Sequence, residues 1–216
     1  MRPKTLDHVA LWPDERQALG AFLVRELGVH LIDEQAAFTL LGSDARRGKL
    51  TLFDAEGPRE AGALKHVALR VSTPVTQREL SAPGGLALRL VQAETDVEYD
   101  LDHVALISAD PETTAREYLR LGFAAADPGP EGVPRVEVGG AWVEFHRGDP
   151  GAPERPLLNH LAVLVDAVQE HVDGARERGI EIDREVDAAN TLAVFLRGPE
   201  HVLVEYVEHK PTFSLT

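Results

Sequence analysis

Apolar and polar residues alternate in four stretches that share a layout and carry a histidine at the same place. They are Leu6-Asp7-His8-Val9-Ala10-Leu11, Leu64-Lys65-His66-Val67-Ala68-Leu69, Leu101-Asp102-His103-Val104-Ala105-Leu106 and Leu158-Asn159-His160-Leu161-Ala162-Val163. Such alternation predicts a strand that sends its imidazole to one face of a sheet while its neighbours pack on the other. Four copies predict a repeated module. After His8 the period changes: Leu19, Phe22, Leu23 and Leu27 mark an amphipathic helix, opened by Asp14 and stopped by Gly28. Asp110-Pro111 and Leu121-Gly122 bound a second helix, Asp166 and Arg178-Gly179 a third.

Strand-like segments follow each helix, at 29–33, 37–41 and 49–53, at 124–126, 135–138 and 141–146, and at 181–186, 192–196 and 201–207. Turn signals separate them at Gly42-Ser43-Asp44, Gly139-Gly140 and Gly198-Pro199. The module that starts at His66 is shorter, with room for a first strand, a connection over 76–80 and one further strand at 86–91. The pattern therefore predicts an α+β chain of four tandem βαβββ modules, the second truncated. Three consecutive strands per helix favour mostly antiparallel sheets curled around a cleft. A polar stretch at 95–99 divides the chain into halves, 1–96 and 97–210.

Composition narrows the function. The 216 residues suffice for two compact units of about 100 residues. No apolar run reaches the roughly 20 residues that span a bilayer, and no signal peptide is evident, so a cytoplasmic protein without a membrane partner is expected. A net charge of −14 argues against a nucleic-acid surface, which needs a basic patch. With no cysteine, a metal site can use only nitrogen and oxygen donors.

The last strands of the third and fourth modules, Ala141-Trp142-Val143-Glu144-Phe145-His146 and His201-Val202-Leu203-Val204-Glu205-Tyr206, each set a glutamate among apolar residues. A buried carboxylate needs a cation or hydrogen-bond donors beside it. Aligning the modules puts Leu52 at the equivalent place in the first and Arg89 in the second. The C-terminal half thus carries two histidines and two glutamates at matching positions, a donor set for Fe, Mn, Ni, Co or Zn. Arg89 would repel a cation. His8 and His66 read as structural, His30, His171 and His209 as surface residues, and Trp142, Phe145, Phe195 and Tyr206 as core. His146 is expected to share the face of Glu144, and His201 that of Glu205.

The repeated histidine starts, the helix ends Leu27-Gly28 and Leu121-Gly122, the glutamate strands and the run Phe195-Leu196-Arg197-Gly198-Pro199 resemble the vicinal oxygen chelate superfamily. That superfamily includes glyoxalase I, epimerases, extradiol dioxygenases and bleomycin-resistance proteins. The resemblance implies glyoxalase-like halves, one divalent metal on His103, Glu144, His160 and Glu205, and a degenerate N-terminal half. It also implies a small-molecule substrate or ligand, and it admits a homodimer. On a glyoxalase or epimerase pattern the chemistry is lyase or isomerase, with Glu144 or Glu205 as proton acceptor and His146 as shuttle. On the extradiol pattern the ligands are His103, His160 and Glu205, but Phe195 stands where that pattern has tyrosine and 187–192 lacks its histidine. A third reading is a metal-free protein that sequesters a drug, as bleomycin-resistance proteins do. Sequential pairing of modules, which gathers the C-terminal ligands, is the expected arrangement. Pairing of the first with the fourth would instead join His8 to His160 and Glu205, and His66 to His103, Glu144 and Arg89.

Overall fold

The computed structural model describes residues 1–44, 48–75 and 78–213. The first module comprises β1 (Thr5–Leu11), α1 (Arg16–Leu27), β2 (His30–Glu34), β3 (Phe38–Gly42) and β4 (Lys49–Phe53). The second holds β5 (Leu64–Val71), β6 (Glu79–Ser81) and β7 (Ala87–Gln92), with a single 3-10 turn and no longer helix among its described residues. Its expected connection begins at Thr76 and Gln77, which lie outside the described residues. The third contains β8 (Tyr99–Ser108), α2 (Pro111–Arg120), β9 (Ala124–Ala125), β10 (Arg135–Val138) and β11 (Ala141–Arg147). The fourth contains β12 (Leu158–Leu164), α3 (Val168–Arg178), β13 (Ile182–Asp187), β14 (Thr191–Arg197) and β15 (Leu203–His209).

Helix ends follow local chemistry in most cases. Gly28 and Gly179 close α1 and α3 in the left-handed conformation, at φ 73° and 64°. Asp110 caps α2, accepting from the Thr113 N–H, with Pro111 in the first turn. Asp14 does not cap α1, which starts at Arg16 after an uncapped Glu15. Nor does Asp166 cap α3: Glu208 Oε2 of β15 accepts from the Val168 N–H at 2.9 Å and ties the helix to its sheet.

The strands form two curled sheets, ordered β13-β14-β15-β12-β1-β4-β3-β2 and β6-β7-β5-β8-β11-β10-β9. Within each module the first and last strands run parallel, β1 with β4, β5 with β7, β8 with β11 and β12 with β15. The remaining pairings are antiparallel.

The modules do not pair in chain order. β1 joins β12 and β5 joins β8, so the first module shares a sheet with the fourth and the second with the third. All four first strands carry one pattern, so alternation alone does not choose which edges meet. Neither chain half builds a complete sheet by itself.

Bulges interrupt both central pairings. Opposite β12, β1 skips Asp7 between Leu6 and His8, and β12 skips Asn159 between His160 and Leu158. Opposite β8, β5 skips Lys65, and β8 skips Asp102. Each skipped residue precedes one of the four histidines. An extra residue in one strand bends it and re-aims the neighbouring side chains.

The faces divide as the alternation predicts. Val9, Leu11, Leu161, Val163, Val204 and Tyr206 are buried in the core. The helices pack there, α1 through Leu19, Leu23 and Leu27 and α3 through Val172 and Ala175. Tyr206 donates to the Leu121 carbonyl at 2.5 Å, linking the first sheet to the end of α2. The opposite face of each sheet carries the histidines.

Candidate metal centre

In the first sheet, His8 of β1, His160 of β12 and Glu205 of β15 turn toward one point. Each offers one ligand atom, and these atoms lie within 4.8 Å of one another. His8 Nε2 is 3.1 Å from His160 Nε2, and Glu205 Oε2 lies 3.3 Å from the first and 2.9 Å from the second. The cross-strand register explains the convergence: Ala162 of β12 is directly opposite both His8 and Glu205, and His160 shares its face two residues away. Alanine two residues after each histidine, at Ala10 and Ala162, keeps the floor of this site shallow.

The residue before each histidine fixes its ring. Asn159 Oδ1 lies 2.9 Å from His160 Nδ1, so that nitrogen carries the proton and Nε2 presents a lone pair to the centre. Asp7 Oδ1 stands 3.8 Å from His8 Nδ1. Asp7 is itself held by the buried ammonium of Lys49, at 2.8 Å from Oδ1, and by His209 Nε2 at 3.3 Å. Burial works against ionisation of Asp7, but His209, His8 and Lys49 overcome it and hold the carboxyl far below the usual range. Glu205 is likewise pulled down to about 2, because His160 and His8 outweigh its burial. For His8, burial disfavours the charged ring, yet Asp7 and Glu205 win and raise its proton affinity. For His160 burial prevails and lowers it.

Aromatic rings surround the trio. Phe195 meets the His160 ring edge-on at 5.0 Å, Phe53 lies 6.2 Å from it, and Phe38 packs on Phe53.

The second sheet holds the matching cluster, His66, His103, Glu144 and His146. His66 Nε2 and His103 Nε2 are 2.9 Å apart, and His103 Nδ1 is 2.6 Å from Asp102 Oδ1, which Arg70 also binds. Two ring nitrogens this close cannot both carry a proton, and the Asp102 carboxylate accepts from His103 Nδ1. Glu144 Oε2 lies 3.7 Å from His103 and 3.5 Å from His146. Cations crowd the cluster. Lys65 Nζ is 2.9 Å from His146 Nδ1, and Arg135 is 3.8 Å from Glu144. Burial, aided by the positive charge of His103, Arg89, His146 and Lys65, depresses His66 to about 3.

The expected ligand set His103, Glu144, His160 and Glu205 is therefore split between sheets, two residues in each, because the modules pair crosswise. Glu144 and His146, expected to share proton transfer with Glu205, stand in the other sheet from it. His8, expected to be structural, completes the trio instead. The register also corrects the equivalent of glutamate in the first module. Ala10 is opposite Thr51, as Ala162 is opposite Glu205, Ala105 opposite Glu144 and Ala68 opposite Arg89. Thr51, not Leu52, stands at that place. His201 lies in an exposed 3-10 turn before β15 rather than on the face of Glu205. His171 is buried, and His209 reaches Asp7 rather than solvent alone. The aspartate or asparagine before His103 and His160 is the sequence signal for ring orientation, and strict alternation hides it by sending adjacent side chains to opposite faces.

Residues 100–206 match the Glyoxalase/Bleomycin resistance protein/Dioxygenase superfamily. No curated protein matches the chain. Among solved structures, a "putative dioxygenase" from Bacillus subtilis superposes with a TM-score of 0.79 at 16% identity, covering 98% of this chain and 87% of its own. Glyoxalase I from Zea mays gives 0.69 at 14% identity, covering 94% and 92%. The cppA protein of Streptococcus pneumoniae gives 0.63 at 14%, covering 95% and 98%. At such identities the likeness is one of fold. Together with the family match over residues 100–206, this likeness of fold is consistent with the vicinal oxygen chelate superfamily that the sequence resembles.

Proposed function

We propose that His8, His160 and Glu205 hold one divalent metal, and that the protein uses it in oxygen-dependent cleavage of a small ortho-diol. The observation that carries this reading is the donor set: two imidazoles and one carboxylate, with Thr51 where a second carboxylate would stand. Two histidines and one carboxylate with open positions are the ligands of non-haem iron oxygenases. A four-ligand glyoxalase or epimerase site would need a second glutamate in this sheet.

The residues fit a metal. Glu205 Oε2 is buried, and the only groups against it among the described residues are two histidine nitrogens, at 2.9 and 3.3 Å. A cation among the three would satisfy the carboxylate and both ring nitrogens at once. A bound iron or manganese ion would supply Lewis acidity and one-electron chemistry at that point. The protein does the rest. Asn159 holds the His160 proton on Nδ1 and keeps Nε2 free. The Asp7 carboxylate, itself paired with Lys49, stands 3.8 Å behind the His8 ring. Ala10 and Ala162 keep side chains short beneath the trio, and Phe38, Phe53 and Phe195 give it apolar neighbours. Thr51 can hydrogen-bond a substrate oxygen. Phe195 carries no proton, so it cannot act as acid or base.

A second reading rests on the buried carboxylate of Glu205, which could take a proton from carbon next to a carbonyl and so support isomerisation. One experiment separates the two. Protein reconstituted anaerobically with Fe(II) is mixed with catechol in an oxygen electrode, and in parallel with a hemithioacetal under nitrogen. Stoichiometric oxygen uptake with catechol, none with resorcinol and no isomerisation supports ring cleavage. Turnover of the hemithioacetal without oxygen would replace it. A protein that binds small molecules but takes up no metal would be of the sequestering kind.

A further inference from the structure

We propose that Arg184 anchors an anionic group, a carboxylate, on the substrate of this site, so that the protein selects diols bearing acid groups over plain ones. The inference rests on the reading of the trio given above and deepens it.

One row of directly opposed residues crosses the first sheet: Arg184 on β13, Phe195 on β14 and Glu205 on β15. Directly opposed side chains share a face, so Arg184 belongs to the face of the trio. It stands two strands from Glu205, roughly 10 Å between backbones. That is the reach of a benzene ring with oxygens at one end and an acid at the other. The guanidinium carbon lies 3.8 Å from the centre of the Phe195 ring, whose edge meets His160. The guanidinium thus covers the face of Phe195, and a ligand whose oxygens sit at the trio would meet Arg184 across that ring.

The backbone aims this arginine. β13 skips Asp183 opposite β14, so Asp183 and Arg184 share a bulge, as Asp7 and His8 do. Asp183 Oδ2 accepts from Arg184 Nη1 at 2.7 Å, and Asp183 also binds Arg197. Arg197 in turn pairs with Glu181 at 2.7 Å. Among the described residues Arg184 spends only Nη1 on the protein. Nε and Nη2 remain for a ligand on a half-exposed side chain, and two parallel N–H groups match the two oxygens of a carboxylate.

The test compares catechol with 3,4-dihydroxybenzoate and 3,4-dihydroxyphenylacetate by anaerobic calorimetry on Fe(II)-loaded protein, wild type and Arg184→Gln. The expected result is that at least one acid binds wild type tenfold or more tightly than catechol. In Arg184→Gln that preference falls below twofold while catechol affinity stays within twofold. An Arg184→Lys variant, which keeps charge without the fork, should retain part of the preference. If catechol binds but the acids bind no better, or if the preference survives in Arg184→Gln, the anchor is wrong and the metal site stands. If no diol binds loaded protein at all, the reading of the trio fails and the anchor fails with it.

Discussion

Asp7 and Lys49 are both buried and paired, with His209 and His8 also against the carboxylate. Removing one partner strands the other charge, which costs about 3–5 kcal/mol. Lys49→Met should therefore lose that much stability in denaturant titration, far more than a surface lysine. The acid response has a definite sign. Asp7 and Glu205 titrate lower when folded than unfolded, so the unfolded chain binds more protons below about pH 4.5. Their contribution is complete above that pH and is lost as pH falls toward 2. Urea midpoints measured from pH 6 down to pH 2 should drop steeply in wild type and less steeply in Asp7→Asn. His8 behaves oppositely, with its proton affinity raised. Metal must displace that proton, so affinity should climb with pH from 6.5 upward and level off only above the raised value. Calorimetric titration with Zn(II) at several pH values checks this; a plateau already at pH 6.5 would contradict it. Asn159→Ala, which frees the His160 ring, should weaken metal binding about 10–100-fold with the fold intact.

At the scale of elements, much of the chain was legible. Gly28 and Gly179 ended helices because left-handed residues do so, and Asp110-Pro111 opened α2 for equally local reasons. β4 and β10 fall where alternation and turn signals put them. The misreadings have long-range causes. α3 takes its cap from Glu208, 40 residues away, so Glu208→Ala should cost about 1 kcal/mol in thermal melts while Asp166→Ala costs less. The bulges at Asp7, Asn159, Lys65 and Asp102 leave apolar alternation intact on either side, so no local pattern reveals them. Yet they bring the preceding residue beside the histidine ring. Thr51 was mistaken for Leu52 through a shift of one residue, the smallest register error a strand allows.

Across the whole molecule, the family and its repeated module could be read from the chain, while the pairing of modules could not. That pairing decides the site. It brings His8, from the first strand, to Glu205 in the last, and leaves His103 and Glu144 with Arg89 in the other sheet. A fragment of residues 97–216 should accordingly fail to bind metal alone, and adding a fragment of residues 1–96 should restore binding if the two associate. The most direct test is metal content by mass spectrometry of wild type, His8→Ala, His103→Ala and Glu205→Ala, each loaded with Fe(II) and desalted. One equivalent in wild type and His103→Ala, lost in His8→Ala and Glu205→Ala, is the predicted result. Metal kept by His8→Ala and lost by His103→Ala would place the centre in the other sheet and contradict the account.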